Sequence, residues 1–550
     1  MLELYGKGVS NGIAIGRLSF YSNSSNDIPK YYVQDTESEL KRYKAAVKKA
    51  KQHMQSLYDE ACKRVSKNES VIFQTHMMIL DDSKFVDNVT TMITQQNINA
   101  EFAVRNTALK IAEIFKSIDD EYLQQRYTDI IDAANTVIEI LHPKDNFDDH
   151  GSDPVIIAAA ELLPSETISF NQENLLGFVT SKGSKNSHTA ILARTLGLPL
   201  VTQIKGSLSR FDGTQAIIDG QTGRVVINPD RNTLAHYRSK QKQYNKKLQK
   251  LKNQIGLPAV TKNGQKVRLL ARVDNIDALE SAKKCDAEGI GAFRTDYMFL
   301  NRSSAPSEEE LFAVFKRVVK TFPDTDTVTI LPILGAEKAI PYLDIPDEKN
   351  PAIGYMGIRL LLSNKDFFTT ILRALYRASD FGKLSILLPM VNSIDEIEYV
   401  KRTIEEVKIE LRSRGQSFSD SVRIGTLIQT PAAAIISDEI AKVSDFITIG
   451  SNLLIQNTLA MDRENQKLEY FYEPYHKAIM KLIKYICNNA HECGKTVTVN
   501  GELASDVNIT STLLSLGVDA LTVVPSKLLD VKYTVRETDT SLPDRIISKF

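Results

Sequence analysis

The chain has 550 residues, of which 42% are hydrophobic and 25% are charged, and its 68 lysines and arginines balance its 68 aspartates and glutamates. This composition is ordinary for a folded globular protein, and the length predicts about three or four domains, each with its own core. A net charge of zero gives no general attraction to nucleic acid or to an anionic membrane, so neither is expected as a partner.

Cysteine usage and hydropathy indicate the cellular compartment. The four cysteines are scattered and form no C-x-x-C pair, which argues against a disulfide framework or a zinc knuckle and fits a reducing environment. The amino terminus has no basic segment followed by an apolar one, and no stretch reaches the length of a membrane span. We therefore expect a cytoplasmic protein.

The first elements are short strands followed by helices. Residues 1–20 read as short strands around glycines. Between Thr36 and Val65 apolar residues recur mostly at steps of three and four, as in an amphipathic helix, and Thr36 with Glu39 predicts a capping box at its start. Further helices are predicted at 71–80, 84–95, 100–118 and 121–141. These segments predict a helical bundle of roughly a hundred residues.

The next part of the chain alternates short β and α segments. Strands are predicted at 154–158 and 176–180, and a hairpin with a polar, glycine-bearing turn at 216–227. We expect this part to form one α/β fold with residues 1–20, interrupted by the bundle. A charged helix over about 231–254 then acts as a connector.

The segment Gly183–Arg194 carries the strongest chemical signal. His188 stands between Ser187 and Thr189, where a glycine-containing loop turns into a helix-forming run. An imidazole at that place lies near backbone N–H groups and the positive end of a helix dipole, which suits a group that carries or receives a phosphate. A lone histidine at a helix cap is more often a simple surface residue, so the function of His188 has to be inferred from the rest of the chain.

From residue 267 onward, apolar, β-rich runs alternate with helical segments. The runs are at 267–273, 290–294, 328–334, 384–390, 424–428, 446–449, 496–499 and 521–524. About eight strand–helix units over a length near the ~250 residues typical of the fold predict a (β/α)8 barrel, whose chemistry lies at the C-terminal ends of the strands. The polar residues at or after those ends are Arg294, Lys338, Gln429, Asn452, Arg463, Asn500 and Glu502.

Together these features resemble Enzyme I of the bacterial phosphoenolpyruvate-dependent sugar phosphotransferase system, over essentially the whole chain. The histidine loop of that family is similar to Gly183–Arg194. The barrel motifs of the family are echoed by Gly289–Asp296, Thr430–Ala434, Ile449–Asn452, Leu459–Arg463 and Gly501–Asp506. In the bundle, Thr75–Asp82 and Asp119–Leu123 resemble the part that docks a small histidine-containing phosphocarrier protein.

The resemblance implies a multidomain α/β protein. Its expected parts are a swivelling α/β phosphohistidine domain at 1–22 and 146–230, an inserted helical carrier-binding domain at 23–145, a linker helix at 231–258 and a TIM-barrel phosphoenolpyruvate-binding domain at 259–550. It further implies a homodimer formed through the barrel.

The resemblance also implies an activity, that of a phosphoenolpyruvate-protein phosphotransferase. Phosphoenolpyruvate binds at the top of the barrel with magnesium, the imidazole of His188 takes the phosphoryl group, and the phosphocarrier receives it from there. Arg294, Asn452 and Arg463 are the implied substrate-binding residues. Such chemistry depends on positive charge around the phosphate and on a well-placed nucleophile.

The chain departs from the family pattern at the substrate site. Ile330 and Met356 stand where two further arginines are usual, and Gln429 and Leu453 replace the glutamate and the aspartate that bind magnesium. Asn500 stands at the position of the cysteine that protonates the enolate carbon. Because these changes remove metal ligands and phosphate-binding charges, they predict a weakened reaction with phosphoenolpyruvate and magnesium.

Several functions remain open from the sequence. The first is an Enzyme I-type phosphotransferase that carries phosphate on His188. The second is a degenerate paralogue with weak or absent activity and a regulatory or carrier-binding role, which the loss of both metal carboxylates favours. A third is a barrel that accepts a related small phosphorylated acid, and in a fourth His188 is phosphorylated in reverse by the carrier.

Overall fold

The structure is a computed structural model with two compact units, Met1–Leu248 and Gln249–Phe550. It describes residues 1–21, 28–64, 67–116, 121–142, 154–170, 174–184, 187–276, 278–338, 340–463, 465–468, 470–542, 544 and 546–547. Among the described helices, none is both long enough and apolar enough to cross a membrane.

The first unit contains an eight-stranded mixed sheet. Its strands are β1 (Leu2–Tyr5), β2 (Lys7–Ser10), β3 (Ile13–Tyr21), β4 (Val155–Ala159), β5 (Leu175–Thr180), β6 (Leu200–Thr202), β7 (Gln215–Asp219) and β8 (Arg224–Ile227). They lie in the order β1-β8-β7-β3-β4-β5-β6-β2. Strand β3 pairs in parallel with β4, so that Leu18 lies opposite Ile156. The two sequence segments on either side of the bundle therefore share one sheet, as expected.

Five helices form the bundle of the first unit. They are α1 (Thr36–Arg64), α2 (Lys67–Asp81), α3 (Ser83–Thr94), α4 (Ala100–Lys116) and α5 (Glu121–Leu141). The predicted capping box at Thr36 is wrong, because the Oδ1 atom of Asp35 accepts the backbone N–H groups of Glu37 and Ser38. Glu39 instead binds Arg42 and accepts the N–H of Ala100, which ties α1 to α4.

Three further helices complete the first unit and lead out of it. They are α6 (Pro164–Ser169), α7 (His188–Leu196) and α8 (Arg231–Lys252). Helix α8 matches the charged helix that the sequence predicts over about 231–254. The finer division of the chain into four parts stays a prediction.

The second unit is a closed barrel of eight parallel strands. They are β9 (Arg268–Val273), β10 (Ile290–Arg294), β11 (Thr327–Ile330), β12 (Leu384–Leu388), β13 (Arg423–Ile428), β14 (Phe446–Gly450), β15 (Val497–Asn500) and β16 (Ala520–Val523). The prediction of a (β/α)8 barrel is thus confirmed. Strand β11 ends at Ile330, earlier than the predicted run to Leu334, because Pro332 has no N–H to continue the ladder.

Helices surround the barrel. They are α9 (Ala278–Lys284), α10 (Glu308–Val319), α11 (Ile358–Ser363), α12 (Lys365–Ala378), α13 (Ile394–Ser413), α14 (Pro431–Ile435), α15 (Ser437–Val443), α16 (Ser451–Leu459), α17 (Lys477–Glu492), α18 (Thr510–Ser515) and α19 (Leu528–Glu537). Inside the barrel, apolar side chains of neighbouring strands pack into one buried cluster that includes Ile330, Leu387 and Leu427. The interior is a packed core, so the space for a ligand lies at its end.

Candidate active site

The predicted phosphate-carrying residue, His188, is the first residue of α7. Its predecessor Ser187 is the helix N-cap: its Oγ accepts the N–H of Ala190 at 3.3 Å and donates to the carbonyl of Ser184 at 3.1 Å. Gly183 has φ +120°, a conformation that L side chains rarely adopt, and it lets the loop turn into the helix. The imidazole of His188 lies outside the described part of the chain.

Thr189 fixes the start of α7 to the rest of the domain. Its hydroxyl is buried and donates to the carbonyl of Leu162 at 3.2 Å. Leu162 lies two residues before α6, whose Glu166 accepts the N–H of Leu163 at 2.8 Å and the hydroxyl of Tyr21 at 3.2 Å. Burial raises the pKa of Glu166 to about 7, and the nearby negative charge of Asp132 adds to the effect.

Contacts continue from α6 into the bundle. Asp132 of α5 is buried and accepts the N–H of Ser165 at 3.1 Å and its hydroxyl at 2.5 Å. The Nδ1 atom of His76, on α2, lies 3.7 Å from the same carboxylate, and its Nε2 lies 3.9 Å from Asp129. A line of buried polar groups thus joins the bundle to the turn that holds the start of α7.

A second candidate site is a cavity of about 250 Å³ at the carboxyl ends of the barrel strands. Most of the residues that the sequence singled out at the ends of the barrel strands line this cavity, whereas Glu502 does not. Those that line it are Arg294, Ile330, Lys338, Met356, Gln429, Asn452, Leu453, Arg463 and Asn500. A cavity of this size is below the range of drug-sized pockets and suits a small ligand.

Cations on one side of the cavity are held by carboxylates. The Nη2 atom of Arg294 donates to Oδ2 of Asp296 at 2.7 Å, and the Nζ atom of Lys338 lies 3.3 Å from the same oxygen. Lys338 also donates to the carbonyl of Ile333, whose own N–H is accepted by Asp296. Because Asp296 is buried and makes these contacts at once, it fixes both cations.

Arg272, which was not predicted from the sequence as a site residue, also lines the cavity. It lies near the end of β9, and its Nε donates to Asp274 at 2.9 Å. Arg294 approaches the same Asp274 oxygen to 3.8 Å. The sequence signal was a single charged residue at the C-terminal end of an otherwise apolar strand, Leu269–Val273.

Asn452 and Arg463 lie on the other side and meet at Glu502. The Oδ1 atom of Asn452 accepts the N–H of Glu502 at 2.9 Å, and Nη1 of Arg463 lies 3.5 Å from the Glu502 carboxylate. Gly501 has φ +118°, and an added Cβ there would lie 2.3 Å from the hydroxyl of Ser451. The turn after β15 is therefore shaped around the start of α16.

The positions expected to hold magnesium do not fit that ion. Gln429 is 4% exposed, and its Oε1 accepts the N–H of Met390 at 2.9 Å. Leu453 offers no ligand atom, and the one carboxylate in the described lining is that of Glu337. No group of three or more histidine, cysteine or carboxylate side chains able to hold a metal occurs among the described residues. Magnesium usually takes one or two carboxylates together with the substrate's phosphate.

The remaining substitutions make part of the wall apolar. Ile330 and Met356 are both buried, and Met356 packs against the backbone of Gly335, where an added Cβ would lie 2.7 Å from it. Asn500 lines the cavity, its Oδ1 is buried, and no hydrogen bond within the described chain uses that oxygen. An amide does not release a proton at neutral pH, so Asn500 can orient a ligand but cannot protonate it.

Three family models match the chain. A model for the PEP-binding domain of PEP-utilising enzymes matches residues 247–540, the N-terminal model of these enzymes matches 5–126, and their mobile-domain model matches 151–223.

Individual relatives match over nearly the whole length. Phosphoenolpyruvate-protein phosphotransferase of Bacillus subtilis (strain 168) is 34% identical over 560 residues, covering 100% of this chain and 97% of the relative. The protein of the same name from Geobacillus stearothermophilus is 34% identical over 97% of this chain and 93% of its own length. An NMR solution structure of Enzyme I is 31% identical over 44% of this chain and 99% of that chain, with a TM-score of 0.39. The chain therefore belongs to the PEP-utilising enzyme family, among the phosphoenolpyruvate-protein phosphotransferases known as Enzyme I.

Proposed function

We propose that this protein is a phosphoenolpyruvate-protein phosphotransferase that moves a phosphoryl group from phosphoenolpyruvate to His188 and then to a histidine phosphocarrier protein. The observation that carries the proposal is the full-length similarity to enzymes of that name, in a chain whose His188 begins a capped helix. The same similarity favours the enzyme over a purely regulatory paralogue.

The chemistry is a transfer from oxygen to nitrogen. The O–P bond of the enol phosphate breaks, its electron pair stays on the enolate oxygen, and an imidazole nitrogen of His188 forms the new bond to phosphorus. Arg294 and Arg463 bind the negative charges of the substrate, and Asn452 orients it. Fixed cations stabilise a transferring phosphoryl group because they need no reorganisation as charge redistributes. The carbon of the enolate takes its proton from water, since Asn500 has none to give.

The start of α7 favours the transfer of the phosphoryl group onto His188. Ser187 satisfies the N–H of Ala190, and the positive end of the α7 dipole lies at His188. A phosphoryl group gained there is stabilised by that dipole by typically about 0.3–1 kcal/mol when the site is exposed. We assign this role to the phosphohistidine domain at 1–22 and 146–230, followed by the linker at 231–258.

The carrier docks, in this proposal, on the bundle at 23–145. Helix α2 exposes two apolar side chains seven residues apart, which is two helical turns on one face: Val71 is 45% exposed and Met78 is 72% exposed. Asp81 and Asp82 continue that exposed surface. Of the second predicted docking segment, residues 119–120 and the side chains of 121–123 lie outside the described part.

We further propose a homodimer through the barrel at 259–550. The barrel unit exposes the apolar side chains of Ile435, Tyr470 and Phe471, the last two in edge-to-face contact at 5.4 Å between ring centroids. Exposed aromatic groups of this kind are enriched in protein interfaces. Sedimentation equilibrium of the intact chain and of Phe471→Ser tests this part of the proposal, because the variant is expected to shift the equilibrium toward monomer.

Phosphoryl transfer itself is the decisive experiment. The purified protein is incubated with phosphoenolpyruvate labelled in its phosphate, with and without a histidine phosphocarrier. We expect acid-labile label on His188 that moves to the carrier, and no label in His188→Ala. His236→Ala, on the exposed face of α8, is the matched control and should be labelled like the wild type. Label on another residue contradicts His188 as the acceptor, and label obtained only from phosphorylated carrier contradicts the proposed direction of transfer.

A further inference from the structure

We infer that the barrel cavity binds its anionic substrate without a divalent metal ion, and that Arg272 is one of the residues that bind it. The inference rests on the proposed function, which names the substrate, and adds how the substrate is held. The described part of the lining has four cations and one carboxylate. The cations are Arg272, Arg294, Lys338 and Arg463, and the carboxylate is Glu337.

The carboxylates that orient these cations stand outside the lining. Asp274 accepts from Arg272 at 2.9 Å and lies 3.8 Å from Arg294, while Asp296 lies behind Arg294 and Lys338. A guanidinium held from one side keeps donors for a ligand on the other, and prior orientation lowers the entropy cost of binding. The cavity therefore presents positive charge inward, with negative charge behind it.

Arg272 is well placed for this role. Its side chain is only 20% exposed, so a ligand contact is screened less by solvent than one at the surface. It shares the Asp274 oxygen with Arg294, which puts two guanidinium groups on one carboxylate. Arg294 and Lys338 in turn share Asp296, so three cations stand on two carboxylates, and the remaining positive charge favours an anion.

The metal positions support the same conclusion. Magnesium in proteins is usually bound by carboxylates, but Gln429 has only a neutral amide oxygen, which already accepts the N–H of Met390, and Leu453 has no ligand atom. Without a metal ion, the phosphate and the carboxylate of the substrate are balanced by cationic side chains alone. The amide of Asn500, whose oxygen has no partner within the described chain, adds a neutral hydrogen-bonding group at the wall.

Calorimetric titration of the full-length protein with phosphoenolpyruvate tests the inference directly. The titration is run once in excess EDTA and once in excess magnesium. We expect the same Kd within about twofold in both, since no bound ion is part of the site. Binding that requires magnesium overturns the inference, and so does the absence of binding in both conditions.

Substitutions then test Arg272. Arg272→Ala should weaken binding in EDTA by about tenfold or more, as expected for the loss of a charge-assisted hydrogen bond. Arg272→Lys keeps the charge but loses the fork, so its loss should be smaller. Arg268→Ala is the control, because Arg268 is an exposed residue at the other end of the same strand. If both Arg272 variants fold, as judged by circular dichroism, and bind like the wild type, the role of Arg272 is refuted.

The labelling of His188 separates this inference from the proposed function. Label that requires magnesium rejects the metal-free site and leaves the phosphotransferase standing. If no label is found either in EDTA or in magnesium, with an active phosphocarrier present, the phosphotransferase function is rejected as well.

Discussion

Glu166 makes the stability of α6, and of the turn before it that holds the start of α7, depend on pH. Its pKa is about 7 in the folded protein, against an ordinary value of 4.5, chiefly because of burial. The folded state therefore binds more protons than the unfolded state between these two values. The free energy by which this extra proton binding stabilises the folded state is fully present below pH 4.5 and is lost as the pH rises through 7. A difference of about 2.5 in pKa corresponds to about 3 kcal/mol.

The segment around α6 should register this loss. Glu166 accepts the N–H of Leu163, and the adjacent carbonyl of Leu162 holds Thr189, the neighbour of His188. Hydrogen exchange of the intact protein, followed by mass spectrometry and corrected for intrinsic rates, gives the opening free energy of residues 162–170. We expect it to fall by about 3 kcal/mol between pH 4.5 and 8.

Glu166→Gln isolates the carboxyl group. The amide still offers an oxygen to Leu163 but does not titrate, so the opening free energy of this segment should become nearly independent of pH over the same range. Glu161→Gln is the control, because Glu161 is exposed, lies next to this segment and should leave its wild-type pH dependence unchanged. An identical pH dependence in the wild type and in Glu166→Gln would show that another group titrates.

Three further changes have definite expected outcomes. Ser187→Ala removes the N-cap of α7 and should destabilise that helix by about 1 kcal/mol, measured by hydrogen exchange of 188–196, whereas the exposed Thr195→Ala should have a smaller effect. Gly501→Ala should lower thermal stability and weaken ligand binding, because its Cβ would lie 2.3 Å from the hydroxyl of Ser451. Gly494→Ala is the control: Gly494 also has positive φ but no atom within 4 Å of an added Cβ, so this variant should lower the free energy of unfolding by only about 1 kcal/mol. Cys487, whose pKa burial raises to about 12, should react with a disulfide reagent at pH 8 only after denaturant is added, as absorbance of the released thiolate will show.

Long apolar runs made the barrel predictable. Each of its strands overlaps an apolar run predicted from the sequence, because a strand buried on both faces is a continuous apolar segment. Short elements with weaker patterns were harder to find. The three-residue strand β6 was not predicted, because so short a run has no readable period. At α1 two capping oxygens, those of Asp35 and Thr36, compete one residue apart, and only geometry decides between them.

The candidate site was predictable where residues stand at strand ends. Arg294 and Asn500 were found because they end apolar runs, and the family pattern supplied Ile330 and Met356. Arg272 was missed because one more apolar residue follows it in the same run. The interaction of Gln429 with Met390 could not be foreseen either, since it joins residues 39 positions apart. Side-chain partners across loops depend on tertiary packing, which composition and spacing do not encode.

The substitutions in the cavity are coupled through charge. Compared with the Enzyme I pattern described above, Ile330 and Met356 replace two arginines, while Gln429 and Leu453 replace two carboxylates. Ile330 and Met356 are buried, and a buried arginine is costly without a paired anion. Once the carboxylates and the metal are gone, apolar residues are therefore the more stable choice at these two positions.

This coupling predicts the outcome of restoring the carboxylates. Leu453→Asp alone adds an unpaired negative charge beside the substrate and should weaken phosphoenolpyruvate binding in EDTA by about tenfold or more, measured by calorimetry. Gln429→Glu can keep the bond to Met390, so the double variant gains two oxygen ligands and should bind the substrate more tightly with magnesium than in EDTA. Leu453→Asn adds the same bulk without the charge and should stay near the wild type in EDTA. If Leu453→Asp also binds like the wild type in EDTA, Leu453 does not adjoin the bound anion, and charge does not couple the substitutions in this cavity.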